Sequence, residues 1–165
     1  MTLHSRAQAS MPDLLFATLF FFIMLAGLFF YASNIQDNDQ SIVERRLLDN
    51  AASNLAEFII KNPGTPVNWE YLPDFNQTEQ IGLAIKDRVL SPDKVVAFVN
   101  QGNSDYALTK QKLRLTQFEF HAQFSGGVSL STGLAPGANK NASVVQRLVT
   151  INGVETQFTL TVYDS

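Results

Sequence analysis

Nineteen uncharged, mostly apolar residues fill positions 14–32, an amphipathic repeat follows them, and the last third of the chain alternates apolar and polar residues. As an α-helix, nineteen residues are roughly 28 Å long, the thickness of a bilayer's hydrocarbon core. The run holds six Phe and ends near Tyr31, whose amphipathic ring suits a membrane interface. It has no polar face of the kind a soluble core helix of this length keeps. The pattern therefore predicts a membrane-spanning helix.

Beyond the span, Val43, Leu47, Leu48, Ala51, Leu55, Phe58 and Ile59 recur at helical spacing with Glu44, Arg45, Asp49, Asn50, Asn54 and Glu57 between them. Ser41-x-x-Glu44 has the form of a capping box, so the polar stretch 36–40 reads either as a break or as part of one long, bent helix. The single helix, from about Ser10 to Lys61, is the favoured reading. Asn62-Pro63-Gly64-Thr65-Pro66 ends it, because a residue before Pro is steered out of the helical region and a second Pro forbids return. The rigid turn is expected to lay Trp69, the sole Trp, against the helix as a packing residue, with a binding role as the alternative. Ser91-Pro92 opens a short helix over Val95, Val96, Phe98 and Val99 that stops near Gly102, and residues 106–113 form another.

In the last third, Phe118, Phe120, Ala122 and Phe124 alternate with Glu119, His121 and Gln123, as in a strand with one buried face. A Gly-, Ser- and Pro-rich loop is expected over 125–140. Two β-rich runs then flank Asn152-Gly153, a strong hairpin signal. A two-residue loop sets Ile151 opposite Val154, Val149 opposite Thr156, Arg147 opposite Phe158 and Val145 opposite Leu160. Gln146, Thr150, Glu155, Gln157, Thr159 and Thr161 then face solvent. Arg147 falls on the apolar face, where it either snorkels over Phe158 or pairs with an acid of the helix such as Glu57.

About 130 residues follow the span, enough for one small domain. The net charge is only −3 and the basic residues form no stripe, which excludes an electrostatic case for nucleic-acid binding. The absence of cysteine excludes a disulfide scaffold, a thiol nucleophile and a Cys-based metal site. His4 and Arg6 precede the span whereas Asp37, Asp39 and Glu44 come first after it, so the positive-inside rule puts the N-terminal tail in the cytoplasm and the domain outside.

Candidate chemistry is sparse. His121 lies on the polar face of a strand and His4 ahead of the span, neither with a visible partner. No P-loop, Gly-x-Gly-x-x-Gly, Gly-x-Ser-x-Gly or His-Glu-x-x-His pattern occurs. No catalytic, cofactor or metal residue is assigned, and no enzymatic activity is expected. Asn76-Gln77-Thr78 and Asn141-Ala142-Ser143 are N-glycosylation sequons in predicted loops.

Three readings of the N-terminus compete: a secretory signal removed whole, a permanent signal anchor, and a leader cut ahead of the apolar run. The run exceeds the 7–15 residues usual for a secretory signal. Arg6-Ala7-Gln8 resembles the processing site of archaeal type IV pilin-like proteins, the class III signal peptide. Pro63-Gly64-Thr65-Pro66-Val67-Asn68-Trp69 with Ile81-Gly82-Leu83-Ala84 is similar to a pattern that recurs in archaeal pilin-like membrane proteins. The resemblance implies cleavage after Ala7 and an assembly role for Asp13, which would pair with the N-terminal ammonium of a neighbouring subunit. Asp13 would be the sixth residue after such a cut, where the family more often has its acid fifth, and Pro12 precedes it. A carboxylate there also serves as a cap: Ser10-x-x-Asp13 resembles a capping box, and the first helical turn favours negative charge.

The implied fold is α+β and type IV pilin-like, a long N-terminal hydrophobic and amphipathic helix packed against a small C-terminal antiparallel sheet. Its divisions are a leader over 1–7, a transmembrane and filament-core helix over 8–35, and an extracytoplasmic head over 36–165. The head divides into a helix continuation 41–61, turn and short helices 62–113, and sheet 115–163. The implied function is a structural subunit, major or minor pilin or pseudopilin, of a cell-surface filament. The implied partners are other pilin subunits, a prepilin peptidase, an assembly ATPase and membrane platform, and membrane lipid before assembly, with no nucleic acid and no cofactor. The alternative is a single-pass, membrane-anchored extracytoplasmic binding protein that does not polymerise.

Overall fold

The computed structural model describes residues 11–138 and 140–164, with side chains at all of these except 11 and 34–41. The chain divides into two units at Glu44/Arg45. Helix α1, Met11–Lys61, contributes to both, and the polar stretch 36–40 is helical, not a break.

In the first unit every side chain from 12 to 33 is exposed. The span Pro12–Ser33 has 22 residues with mean hydropathy 2.4, long and apolar enough to cross a membrane. Thr18, a polar residue within it, turns its hydroxyl back to the carbonyls of Leu14 (2.9 Å) and Leu15 (3.0 Å), which removes an unpaired donor from an apolar surface.

In the second unit, α1 buries Leu48, Ala52, Leu55, Ala56, Ile59 and Ile60. This face is rotated from the expected one. Leu47 is 55% exposed, while Ala52, Ala56 and Ile60 are fully inside. The last carbonyls of a helix lack intrahelical partners, and here the segment after the Pro-rich turn supplies them. Leu83 N donates to Ile59 O (2.9 Å), Arg88 N to Ile60 O (3.2 Å) and Ala84 N to Asn62 O (3.0 Å). That contact needs Gly82, because a Cβ there would lie 2.3 Å from Asn62 O.

Two short strands sit in this capping segment, β1 Ala84–Lys86 and β2 Val89–Leu90, where sequence pattern predicts only turn and helix. Helix α2, Pro92–Ser104, starts at Ser91, whose hydroxyl accepts from Lys94 N. Gly102 does not stop it. The helix runs two residues further, and Gly102 instead lets α2 approach a strand, since a Cβ would meet Thr132 Oγ1 at 2.1 Å. Helix α3, Tyr106–Lys112, is capped by Asp105, which accepts from Leu108 N (3.0 Å).

The remaining strands are β3 Phe118–Gly126, β4 Leu130–Gly133, β5 Ala142–Ile151 and β6 Val154–Asp164. The expected loop 125–140 thus contains the end of β3 and all of β4. The six strands form one sheet in the order β1-β2-β5-β6-β3-β4. It is mixed and not wholly antiparallel, because β2 runs parallel to β5 with Val89 opposite Thr150 and Leu90 opposite Ile151. The β5–β6 hairpin has the two-residue Asn152-Gly153 loop, both residues at positive φ, and pairs Ile151 with Val154, Val149 with Thr156, Arg147 with Phe158 and Val145 with Leu160.

The inner face of the sheet carries Phe120, Ala122, Phe124, Val149, Phe158, Leu160 and Val162 into one core shared with α1 and α2. Phe120 stacks with Phe98 of α2 and Tyr106 of α3, ring centroids 6.3 and 5.2 Å apart. Two hairpin residues depart from the expected sidedness. Val154 is 51% exposed at the loop, and Thr161, expected in solvent, is 9% exposed between His121 and Val144 on the central strand.

Candidate functional site

Arg6, Ala7 and Gln8, the expected cleavage residues, lie outside the described residues, as does Ser10. Asp13 is exposed in the first turn of α1, where the helix dipole favours its charge. Around it the span offers an apolar surface on every side, including a shallow groove lined by Pro12, Leu15, Phe16 and Leu19.

Both sequon asparagines are exposed. Asn76 sits in a 3-10 turn, Phe75–Gln77, and its Nδ2 donates to Asp74 Oδ1 at 2.9 Å. The Thr78 hydroxyl that completes this sequon is buried without a hydrogen-bond partner. Asn141 stands just before β5, and its carbonyl accepts from Asp164 N at 3.2 Å.

Within the second unit the polar side chains join elements together. Arg147 Nε donates to Glu57 Oε1 at 2.6 Å, its Nη1 donates to Gln146 O at 2.9 Å, and Lys61 Nζ lies 2.8 Å from Glu57 Oε2. Of the two readings of Arg147, the structure shows the pair with Glu57. Hydrogen bonds from Lys61 and then Arg147 hold the Glu57 carboxyl down to about 2.

Two polar clusters carry no sequence signal. Lys94 is 4% exposed, and its ammonium donates to Pro63 O (2.6 Å) and Val67 O (2.5 Å), with Glu70 Oε2 at 3.9 Å. Burial pushes this lysine below its ordinary pKa, and Glu70 opposes that shift. The second cluster ties α3 to β3. Tyr106 Oη donates to Glu119 Oε2 (2.5 Å) and accepts from Phe120 N (3.0 Å), while Lys110 Nζ donates to Glu119 Oε1 (2.6 Å). Burial works against ionisation of Glu119, but the hydrogen bonds from Lys110 and Tyr106 outweigh it and hold the carboxyl below its usual range. Burial and the bond to Glu119 raise the Tyr106 phenol.

Trp69 is 2% exposed and donates its indole N–H to Gly82 O at 2.8 Å; Gly64, at φ +87°, leaves room for the ring. Its partners are all within the fold, which makes it a packing residue. His121 lies half-buried on the outer face of β3. Among the described residues no group of three or more His, Cys, Asp or Glu is placed to hold a metal ion. The pairs Arg147–Glu57 and Lys110–Glu119 each join one element to another, Lys61–Glu57 lies within α1, and Glu70 Oε2, 3.9 Å from Lys94 Nζ, is buried without a hydrogen-bond partner.

Compared with family models, curated proteins and solved structures, the chain gives no match.

Proposed function

We propose that this chain is a pilin-like structural subunit of a cell-surface filament. In this reading the leader lies in the cytoplasm, a prepilin peptidase cuts after Ala7, and the span 12–33 holds the protein in the bilayer with its α+β domain outside. An assembly ATPase and membrane platform then transfer the apolar helix from lipid into a helical core made of other copies. The observation that carries this reading is a 22-residue span whose side chains are exposed throughout, on the same helix that buries Leu48 to Ile60 in the head. An apolar surface with no polar face demands cover, and lipid or neighbouring helices supply it equally well. Helices stacked head to tail make heterologous contacts that do not close, which is how a filament grows. The polar clusters of the head tie its own elements together, consistent with a structural role.

The test is immunoelectron microscopy of sheared surface material with antibody raised against residues 45–165. Labelled filaments are expected. Label confined to membrane fragments would favour the anchored binding protein that does not polymerise.

A further inference from the structure

The two sequons are alike in sequence and unlike in the fold. Transfer of a glycan asks for two groups at once: the Asn carboxamide, which forms the bond, and the hydroxyl two residues on, which the transferase reads. An extended segment offers both to one partner, because residues i and i+2 then lie on the same side of the chain.

Residues 76–78 do not offer them. The turn Phe75–Gln77 is closed by Gln77 N to Asp74 O (3.1 Å) and Thr78 N to Phe75 O (3.0 Å). Asp74 Oδ1 accepts from both Asn76 N and Asn76 Nδ2, each at 2.9 Å, and Asn76 O accepts from Lys112 Nζ at 2.8 Å. Thr78 is 0% exposed, and the N–H groups of Glu79 and Gln80 that follow it are fastened to Thr65 O. Straightening this segment breaks the turn, the cap and both anchors together.

Residues 141–143 enter β5 already extended. Asn141 is exposed, as are Lys140, Ala142 and residues 134–138, and its side-chain amide makes no hydrogen bond among the described residues. Ser143, 8% exposed, stands opposite Val162, and Asn141 O accepts from Asp164 N at 3.2 Å. These are the last two hydrogen-bonded rungs of the β5–β6 ladder, since such pairs alternate outward from the hairpin loop. On its other side β5 is met by β2 no nearer than Thr150. The end of a ladder opens more readily than a segment fastened on every side. The order in which a chain emerges acts the same way. The backbone bonds around Thr78 lie within residues 65–80, whereas Ser143 is covered only once β6, the final strand, has arrived.

We infer that Asn141 is the N-glycosylation site of this chain and that Asn76 is not. The donor is an oligosaccharide carried on a lipid phosphate. Asn141 Nδ2 bonds to the anomeric carbon as that carbon's bond to the phosphate oxygen breaks. The lipid phosphate leaves with the bonding pair, and one amide proton passes to a base of the transferase. Such donors are consumed outside the cytoplasm, so the inference rests on the reading that the head lies there.

The test is mass spectrometry of the full chain extracted from its native membrane, intact and after trypsin. The peptide containing Asn141 is expected to carry the added mass of a glycan and the peptide containing Asn76 none. Asn141→Gln should return the intact mass to that of the bare chain. Ser143→Ala, which keeps the asparagine and removes only the hydroxyl, should do the same, and Asn76→Gln should leave the glycan in place. A glycan on Asn76 would overturn the inference. Protease added to intact cells separates the remaining outcomes. A bare Asn141 in a head that the protease removes overturns the site and leaves the head's location standing, while a bare Asn141 in a head that the protease spares overturns both.

Discussion

Arg147 Nε donates to Glu57 Oε1 at 2.6 Å across ninety residues of sequence, joining the middle of β5 to the helix beneath it. Both side chains are about 30% exposed, so the pair is a partly solvated tie and not a buried charge. Replacing Arg147 by Met keeps the apolar stem and removes the bond. With the magnitude usual for such pairs, the expected loss is about 1 kcal/mol, or roughly 3–5 °C in Tm for a domain of this size. Glu57→Gln should cost a similar amount, and the double variant less than the sum. Additive losses in a thermal melt would contradict the pairing.

The same carboxyl gives the head an acid limb. Its folded-state pKa, about 2, lies below the ordinary 4.5, so its contribution is fully present above about pH 4.5 and is lost as pH falls toward 2. Urea midpoints measured across this window should fall more steeply for the native chain than for Glu57→Gln. Parallel profiles would show that Glu57 carries no share of the acid sensitivity.

Gly102 faces Thr132 where α2 crosses β4. A Cβ at 102 would meet Thr132 Oγ1 at 2.1 Å but Thr132 Cβ only at 3.3 Å. Gly102→Ala is therefore expected to destabilise by about 1–3 kcal/mol, the usual cost of overpacking. Adding Thr132→Ala should recover part of it, a non-additivity that a double-mutant cycle reads directly.

Lys94 holds the Pro-rich turn to α2 through the carbonyls of Pro63 and Val67. Lys94→Met fills the same channel but leaves two carbonyls and the Glu70 carboxylate without their cation. The expected cost is about 2–4 kcal/mol, measurable by chemical denaturation, with Trp69 as the fluorescent reporter. A neutral result would mean that water replaces the ammonium.

Much of this fold was legible because local signals set it. Asn152-Gly153 sets the hairpin register to the residue and puts Arg147 on the apolar face, but whether it snorkels over Phe158 or pairs with Glu57 is decided by the packing of the helix, which shows the pair. Other features depend on contacts distant in sequence. Strands β1 and β2 hold five residues between them and lie in the segment whose Leu83 and Arg88 N–H groups meet the last carbonyls of α1, a demand no periodicity announces. β4 lies in a stretch whose Gly, Ser and Pro content predicts a loop. The buried face of α1 differed by a small rotation, because the stripe through Val43 and Leu47 and the stripe through Leu48, Ala52, Ala56 and Ile60 are neighbours on one helix, and only the packing partner chooses between them. Lys94 reads in sequence as a surface residue of a helix's first turn, and only the folded-back turn at Pro63 reveals its role.

In the filament reading, Asp13→Asn leaves membrane insertion intact, since the span is unchanged, yet reduces the number of surface filaments counted by electron microscopy. An unaltered filament count would leave Asp13 the role of a helix cap alone.

The most direct test of the proposed function is the N-terminal sequence of the protein extracted from its native membrane. A chain that begins at Gln8 is the predicted result, as cleavage after Ala7 requires; a chain that retains Met1 or Thr2 would contradict the pilin-like account and leave a simple anchor.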